Sequence, residues 1–246
     1  MERVRNKSVA NFKKINLKKK EKNMSKDIIE ELDHHGLREV FLKYTTRAFE
    51  MLPKMEKPYL LDIGCGYGSQ TIEVSRLIDG DIMGIDIDTH ALEEFQAKID
   101  KEGLSERIKL KKISLYNTGF PDETFDILLE EGVLHLLDVK KSYTECSRIL
   151  KKNGYLVMFE TIAYMKKKQK KIVKFGFELV NHFLLPEGTW WTDYYKPLEE
   201  RIKKLKVKYK DSIELKKLKP FENEIEMVRP NPKEFDCGFY IFQKIN

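Results

Sequence analysis

Residues 60–68 read Leu-Leu-Asp-Ile-Gly-Cys-Gly-Tyr-Gly, an apolar strand that runs into three glycines at alternate positions, with an acid at the strand's end. Gly64, Gly66 and Gly68 tolerate positive φ and carry no Cβ. The backbone can therefore turn sharply and lie against a ligand before a helix opens at Ser69. This is the chemistry of a nucleotide-cofactor loop. A dinucleotide fingerprint spaces its glycines G-x-G-x-x-G and sets a pyrophosphate on the helix N-terminus. Here the third glycine comes one residue early. The Asp62 carboxylate would repel a pyrophosphate and favour a ligand carrying an ammonium or sulfonium charge. A glycine turn with no ligand is the alternative.

Further residues of chemical interest follow at intervals. Asp86 closes the segment Gly84-Ile85-Asp86-Ile87-Asp88, 18 residues after Gly68, where a carboxylate can accept from the hydroxyls of a ribose; Asp88 is the better candidate to cap the next helix. Phe120-Pro121-Asp122-Glu123-Thr124-Phe125-Asp126 makes a proline turn into a short apolar strand. That strand delivers Glu130-Glu131-Gly132-Val133-Leu134-His135, and Arg148-Ile149-Leu150-Lys151-Lys152-Asn153-Gly154 makes a later turn.

Together these motifs resemble the class I S-adenosylmethionine-dependent methyltransferases, over about residues 60–161. The first motif matches the family's D-x-G-x-G-x-G, and the turn at 120–126 its F-P-D-x-S-F-D. The turn at 148–154 matches its R-x-L-K-P-G-G, with Lys152 and Asn153 where Pro-Gly is common. The resemblance implies S-adenosylmethionine as cofactor, giving S-adenosylhomocysteine. It places that cofactor on Asp62, Gly64, Cys65, Gly66, Gly68, Asp86, Ile87, Ser114, Leu115 and Glu131. Ser114 is a departure, because the family usually sets an acid there against the adenine amino group. The segments 185–195 and 235–242 look like a branch of small-molecule enzymes similar to the quinone C-methylating methyltransferases. That branch brings a fold and a cofactor but no substrate.

Methyl transfer from a sulfonium is an in-line displacement, so the protein mainly has to align donor and acceptor in a dry site. Where the acceptor must lose a proton, His135 or Glu131 is placed to take it. A core or helix-start histidine is the plain alternative. Trp190, Trp191, Tyr194 and Tyr195 can wall an aromatic acceptor, cage a cationic one, or simply pack.

The elements that must position these residues alternate. Strands are predicted at 59–63, 81–86, 108–113, 125–130 and 155–161, with helices at 69–78, 89–101 and 139–150 between them, after a first helix broken at Gly36. Such alternation predicts a Rossmann-like α/β fold. Its sheet is seven-stranded and mostly parallel, with an antiparallel last strand and helices on both faces. The last two strands are predicted at 213–218 and 238–243. One domain is expected over 25–246, its core being 25–161 and 211–246, with a helical cap inserted at about 162–210 and a basic helix at 199–209.

At 246 residues and 41% hydrophobic composition the chain can bury a full core. The net charge of +6 is concentrated at one end. Residues 1–26 hold ten Lys or Arg against two Glu, and the remainder sums to −2. Residues 1–24 therefore read as a basic, disordered tail, and translation starting at Met24 is a further possibility. Cys65, Cys146 and Cys237 are scattered, with no cluster of metal-ligand spacing, so free thiols and no metal are expected. No apolar run reaches the roughly 20 residues of a membrane span. The chain reads as cytoplasmic, with a small-molecule methyl acceptor as partner and nucleic acid only through the tail.

The competing functions are an RNA methyltransferase and a cofactor-binding module without turnover. Against a base-amino methyltransferase, Glu130-Glu131-Gly132-Val133 stands where an Asn or Asp followed by Pro-Pro-aromatic would be needed. No cysteine follows a proline, as a C5-pyrimidine methyltransferase requires.

Overall fold

The computed structural model describes residues 27–210 and 212–245. The basic tail and the alternative start at Met24 lie outside the described residues. The chain enters through three short helices, α1 (Ile28–Leu32), α2 (His34–Arg38) and α3 (Leu42–Glu50), the last two linked by a 3-10 turn. Asp27 caps α1, its side chain accepting from the amide of Ile29 at 3.1 Å. The break expected at Gly36 falls instead at Asp33, whose φ is +48°. Gly36 is held by Asp33 all the same: its amide donates to Asp33 Oδ1 at 3.1 Å. A Cβ at that position would meet the same oxygen.

Next come β1 (Leu60–Ile63), α4 (Ser69–Leu77), β2 (Ile82–Asp86), α5 (Thr89–Glu102), β3 (Ile108–Lys112) and β4 (Phe125–Glu131). They are followed by α6 (Val139–Ile149), β5 (Leu150–Thr161), α7 (Ile162–Ile172) and β6 (Phe177–Leu184). A π-helical turn at Trp191–Tyr195 runs into α8 (Lys196–Lys208), then α9 (Lys219–Val228) and β7 (Cys237–Lys244). The sheet order is β3-β2-β1-β4-β5-β7-β6. Strands β1 to β5 are mutually parallel, and β7 runs antiparallel to both neighbours, β5 and β6.

Strand alternation divides the core into two layers. Leu60, Ile127, Leu129, Val157 and Phe159 pack on the side of α3, α4 and α5, whereas Leu61, Ile63, Leu128, Leu156 and Met158 pack on the side of α6 and α7. Both faces are thereby covered, which is why β1, β4 and most of β5 read as continuous apolar runs.

The sixth strand is a correction. Ile213–Leu218, read as a strand, is a 3-10 helix opened by Ser212, and Ile213 is 73% exposed. The sheet takes Phe177–Leu184 instead, from inside the stretch read as cap. Only Phe177 and Phe183 of that strand are buried, and a register shift at Leu179/Asn181 breaks its alternation, so its period was hidden. The segment added beside the sheet is therefore 185–236, which returns to the core through β7.

Strand order reverses between β1 and β4: from β1 the chain moves outward through β2 and β3, then resumes on the other side. A ligand crevice opens at the carboxyl ends of strands where this happens. Asp62, Asp86, Glu131 and Glu160 all stand at those ends.

Candidate functional site

The loop after β1 is built as its spacing predicts. Gly64, Gly66 and Gly68 have φ of +72°, +48° and +77°. A Cβ at Gly68 would stand 2.1 Å from the ring of Phe95, and one at Gly64 2.4 Å from Val133 Cγ2, so these two glycines serve packing. Gly66 is different. A Cβ there would meet nothing closer than 4.0 Å and would project into open space at the crevice. The loop is fastened to β2 by the amide of Gly66, which donates to Asp86 Oδ2 at 2.9 Å, while Asp86 Oδ1 accepts from the amide of Asp88 at 2.9 Å. Each oxygen keeps a lone pair for a hydroxyl. Asp88 caps α5 through the amides of His90 and Ala91.

Beside the loop lies a cavity of about 100 Å3, lined by His35, Arg38, Asp62, the 64–70 loop and Glu131. Asp62 is buried, and Thr71 Oγ1 donates to its Oδ2 at 2.5 Å. Burial holds its carboxyl up at about 7 against the opposing pull of the Thr71 bond. Burial likewise lifts Glu131 to about 7, opposed by Thr45 Oγ1, which donates to Glu131 Oε1 at 2.7 Å. Two carboxyl groups, Asp62 buried and Glu131 half-buried, both raised to about 7, suit a cationic ligand, which would draw both into the charged form.

The other residues assigned to the cofactor take distinct positions. Ile87 is 71% exposed beside Asp86, a bare apolar surface of the kind an adenine face would cover. Ser114 accepts from the amide of Tyr116 at 3.3 Å, capping a short 3-10 turn. Leu115 and Cys65 are both buried, and of the two Cys65 lines the cavity. Burial pushes the Cys65 thiol up, leaving it inert.

A second cavity, of about 310 Å3, adjoins the first. Arg38, Gly132, His135, Phe159, Glu160, Trp190, Tyr194, Tyr195, Glu224 and Cys237 are among its walls. His135 and three of the four cap aromatics meet there. Trp191 does not; it packs beneath Arg229, whose guanidinium lies 5.5 Å from its ring centre. His135 is held by Glu160, whose Oε1 lies 3.0 Å from the His135 amide and 3.2 Å from Nδ1. That hydrogen bond holds the imidazole's pKa above its usual 6.5, against the pull of partial burial. Glu130 shapes the same turn, its Oε1 accepting from the amides of Val133 and Leu134. Burial, then the nearby Glu160, keep Glu130 protonated well beyond the usual carboxylate range.

Several of these residues escaped the sequence reading. Glu160, a carboxylate at the end of an apolar strand, repeats the signal of Asp62 and was findable in Met158-Phe159-Glu160-Thr161. Arg38, His35 and Thr45 come from the entry helices and left no local signal. Arg38 lines both cavities, its guanidinium 5.5 Å from the Trp190 ring centre. A larger cavity, about 830 Å3, lies elsewhere, against Pro53–Pro58 and Asp79 at the amino ends of the strands. None of the predicted site residues reaches it.

The fold and this loop have the arrangement that the sequence motifs predict. Residues 61–158 match the family model described as a methyltransferase domain. Sterol 24-C-methyltransferase of Aspergillus fumigatus is 29% identical over 125 residues, covering 49% of this chain and 33% of its own. Demethylmenaquinone methyltransferase of Lactiplantibacillus plantarum is 30% identical over 106 residues, covering 42% of this chain and 45% of its own. The chain thus spans less than half the length of these curated relatives. Among solved structures, the 4+2 cyclase SpnF superposes with a TM-score of 0.68 at 16% identity, covering 82% of this chain and 81% of its own. That likeness is one of fold. Residues 61–158 thus carry a methyltransferase domain, set in a sheet whose fold is that of the solved structures it resembles.

Among the described residues no helix is long and apolar enough to cross a membrane.

Proposed function

We propose that this protein transfers a methyl group from S-adenosylmethionine to a small-molecule acceptor bound in the aromatic cavity. The observation that carries this reading is the junction of the two cavities at Arg38, with Glu131 lining one and Gly132 the other. A donor in the first and an acceptor in the second would meet at the carboxyl end of β4.

When bound, the cofactor supplies an electrophilic methyl on a sulfonium. Asp62 and Glu131 would hold its positive end, Asp86 its ribose hydroxyls, and Ile87 with the Ser114–Leu115 backbone its adenine. Arg38, which has no hydrogen-bond acceptor among the described residues, has its donors free for a carboxylate. Gly66 leaves the ligand room to lie against the backbone.

In the acceptor cavity, Phe159, Trp190, Tyr194 and Tyr195 exclude water and offer flat apolar walls. With Nδ1 donating to Glu160, Nε2 of His135 is the atom left to take a proton from an acidic acceptor. Glu131, at the donor side, serves the cofactor in this reading rather than the acceptor. The relatives named as acting on a sterol and a demethylmenaquinone support an apolar, carbon-based acceptor, as do the walls of the cavity.

The test is a labelled-methyl screen of cell extract fractionated into small molecules, RNA and protein, with His135→Ala as control. Label in the small-molecule fraction that falls with the variant supports the reading. Label in RNA would replace the acceptor class, and cofactor binding with no labelled fraction would make the protein a binding module.

A further inference from the structure

We propose that the outward face of α7 is a docking surface for an anionic lipid bilayer. Between Ile162 and Phe175 the chain carries six lysines, Lys166, Lys167, Lys168, Lys170, Lys171 and Lys174, and no Asp or Glu. Met165 and Ile172 fix which side of α7 is buried. At 3.6 residues per turn Lys166, Lys167, Lys170 and Lys171 fall together on the opposite side, and all four are exposed.

These charges are not balanced within the fold. The other lysine-rich helix, α8, pairs Lys203 with Glu199, Lys206 with Glu222 and Lys208 with Glu31. No lysine of α7 has a carboxylate within ion-pair reach among the described residues. The helix dipole accounts for cations in a last turn, which covers Lys170 and Lys171 but not Lys166 and Lys167. Four like charges held on one rigid face repel one another, and a surface of opposite charge relieves that cost.

Apolar side chains sit beside the lysines. Val173, directly after α7, is 47% exposed. Tyr240 of β7 belongs to the same buried cluster as Met165 and Ile172, and its partner on the edge strand β6, His182, shares its side of the sheet, as does Leu184 two residues on. Leu184 is 49% exposed. Lysine is a flexible point charge, and no arginine occurs between 149 and 200 to fork onto phosphates. Lysines flanked by exposed aliphatic groups match lipid headgroups above an acyl layer better than a nucleic-acid backbone. α7 starts immediately after Thr161, a wall of the aromatic cavity, so a docked helix sets that cavity close to the lipid.

The experiment is co-sedimentation of the full chain with vesicles of phosphatidylglycerol and phosphatidylcholine in equal parts, and of phosphatidylcholine alone, at 50 and 300 mM salt. Wild type and a variant carrying Lys166→Gln, Lys167→Gln, Lys170→Gln and Lys171→Gln are compared, circular dichroism confirming equal folding. A lysine near an anionic surface is worth about a fivefold change in partitioning, so the variant should bind the anionic vesicles about 100-fold or more weakly. Wild type should release with salt and ignore phosphatidylcholine. A second variant, Lys13→Gln, Lys14→Gln, Lys18→Gln and Lys19→Gln, checks the amino-terminal segment. Undiminished binding by the α7 variant, or loss confined to the second variant, overturns the proposal. So does wild-type indifference to anionic vesicles with salt-sensitive binding of an RNA oligonucleotide.

Discussion

The amide of Gly66 donates to Asp86 Oδ2 at 2.9 Å, fastening the loop after β1 to the end of β2. The carboxylate expected to receive a ribose therefore also sets the loop that receives the rest of the ligand. Asp86→Ala removes both functions. It should weaken S-adenosylhomocysteine binding about 100-fold, the scale of two hydrogen bonds to a charged group, as titration calorimetry would read.

The glycines separate binding from folding. Gly66→Ala places a methyl in open space at φ +48°, so its cost is the left-handed backbone, about 1 kcal/mol. The protein should stay folded and lose cofactor affinity. Gly68→Ala adds a clash 2.1 Å from Phe95 and should lower the melting temperature far more. Equal melting temperatures for the two variants would contradict this division.

Asp62 and Glu131, both held up at about 7 by burial, link binding to pH. A carboxyl raised in the folded state binds protons that the unfolded chain, near 4, has already released. Its contribution to stability is therefore present below about pH 4 and is lost as pH rises toward 7. The ligand-free protein should lose stability across that window, and Asp62→Asn should flatten the loss. A cationic ligand favours the ionised forms, so binding near pH 7 should release protons. Calorimetry in two buffers of different ionisation enthalpy measures that release.

His135 should set the acidic limb of the rate profile. Because its hydrogen bond to Glu160 holds the imidazole above 6.5, kcat/KM should rise with pH through a value above 6.5. Glu160→Gln should shift that limb downward and slow the reaction. His135→Ala should cost about 100-fold or more in rate while leaving cofactor affinity unchanged.

Tyr195 donates to Glu224 Oε1 at 2.9 Å, and both line the aromatic cavity proposed for the acceptor. Tyr195→Phe frees that carboxylate without changing the wall's shape. The acceptor's KM should change severalfold, with the affinity for S-adenosylhomocysteine unaltered; a change in both would move Tyr195 to the donor side.

Residues 60–161 were legible because their elements follow strong local rules. Apolar strands end in acids, Asp88 caps α5, and the glycines mark the turn. What escaped was assembled over long sequence distances. Arg38 and Thr45 enter the site from helices whose own pattern records only a buried face. Phe177–Leu184 is an edge strand wet on part of both faces, with a bulge that spoils its period, so it read as cap. Ile213–Leu218 looked like a strand because Ile213, Leu215 and Leu218 are apolar, yet Ser212 caps it as a helical turn. Of the four cap aromatics, Trp190, Tyr194 and Tyr195 line the cavity and Trp191 packs outside it, a division that spacing alone does not make.

Titration calorimetry of the full chain with S-adenosylmethionine, alongside Gly66→Ala and Asp86→Ala, tests the central claim most directly. One site should bind in the wild type, with proton release near pH 7, and both folded variants should bind far more weakly. Absence of binding by the wild type, or equal binding by all three proteins, would contradict it.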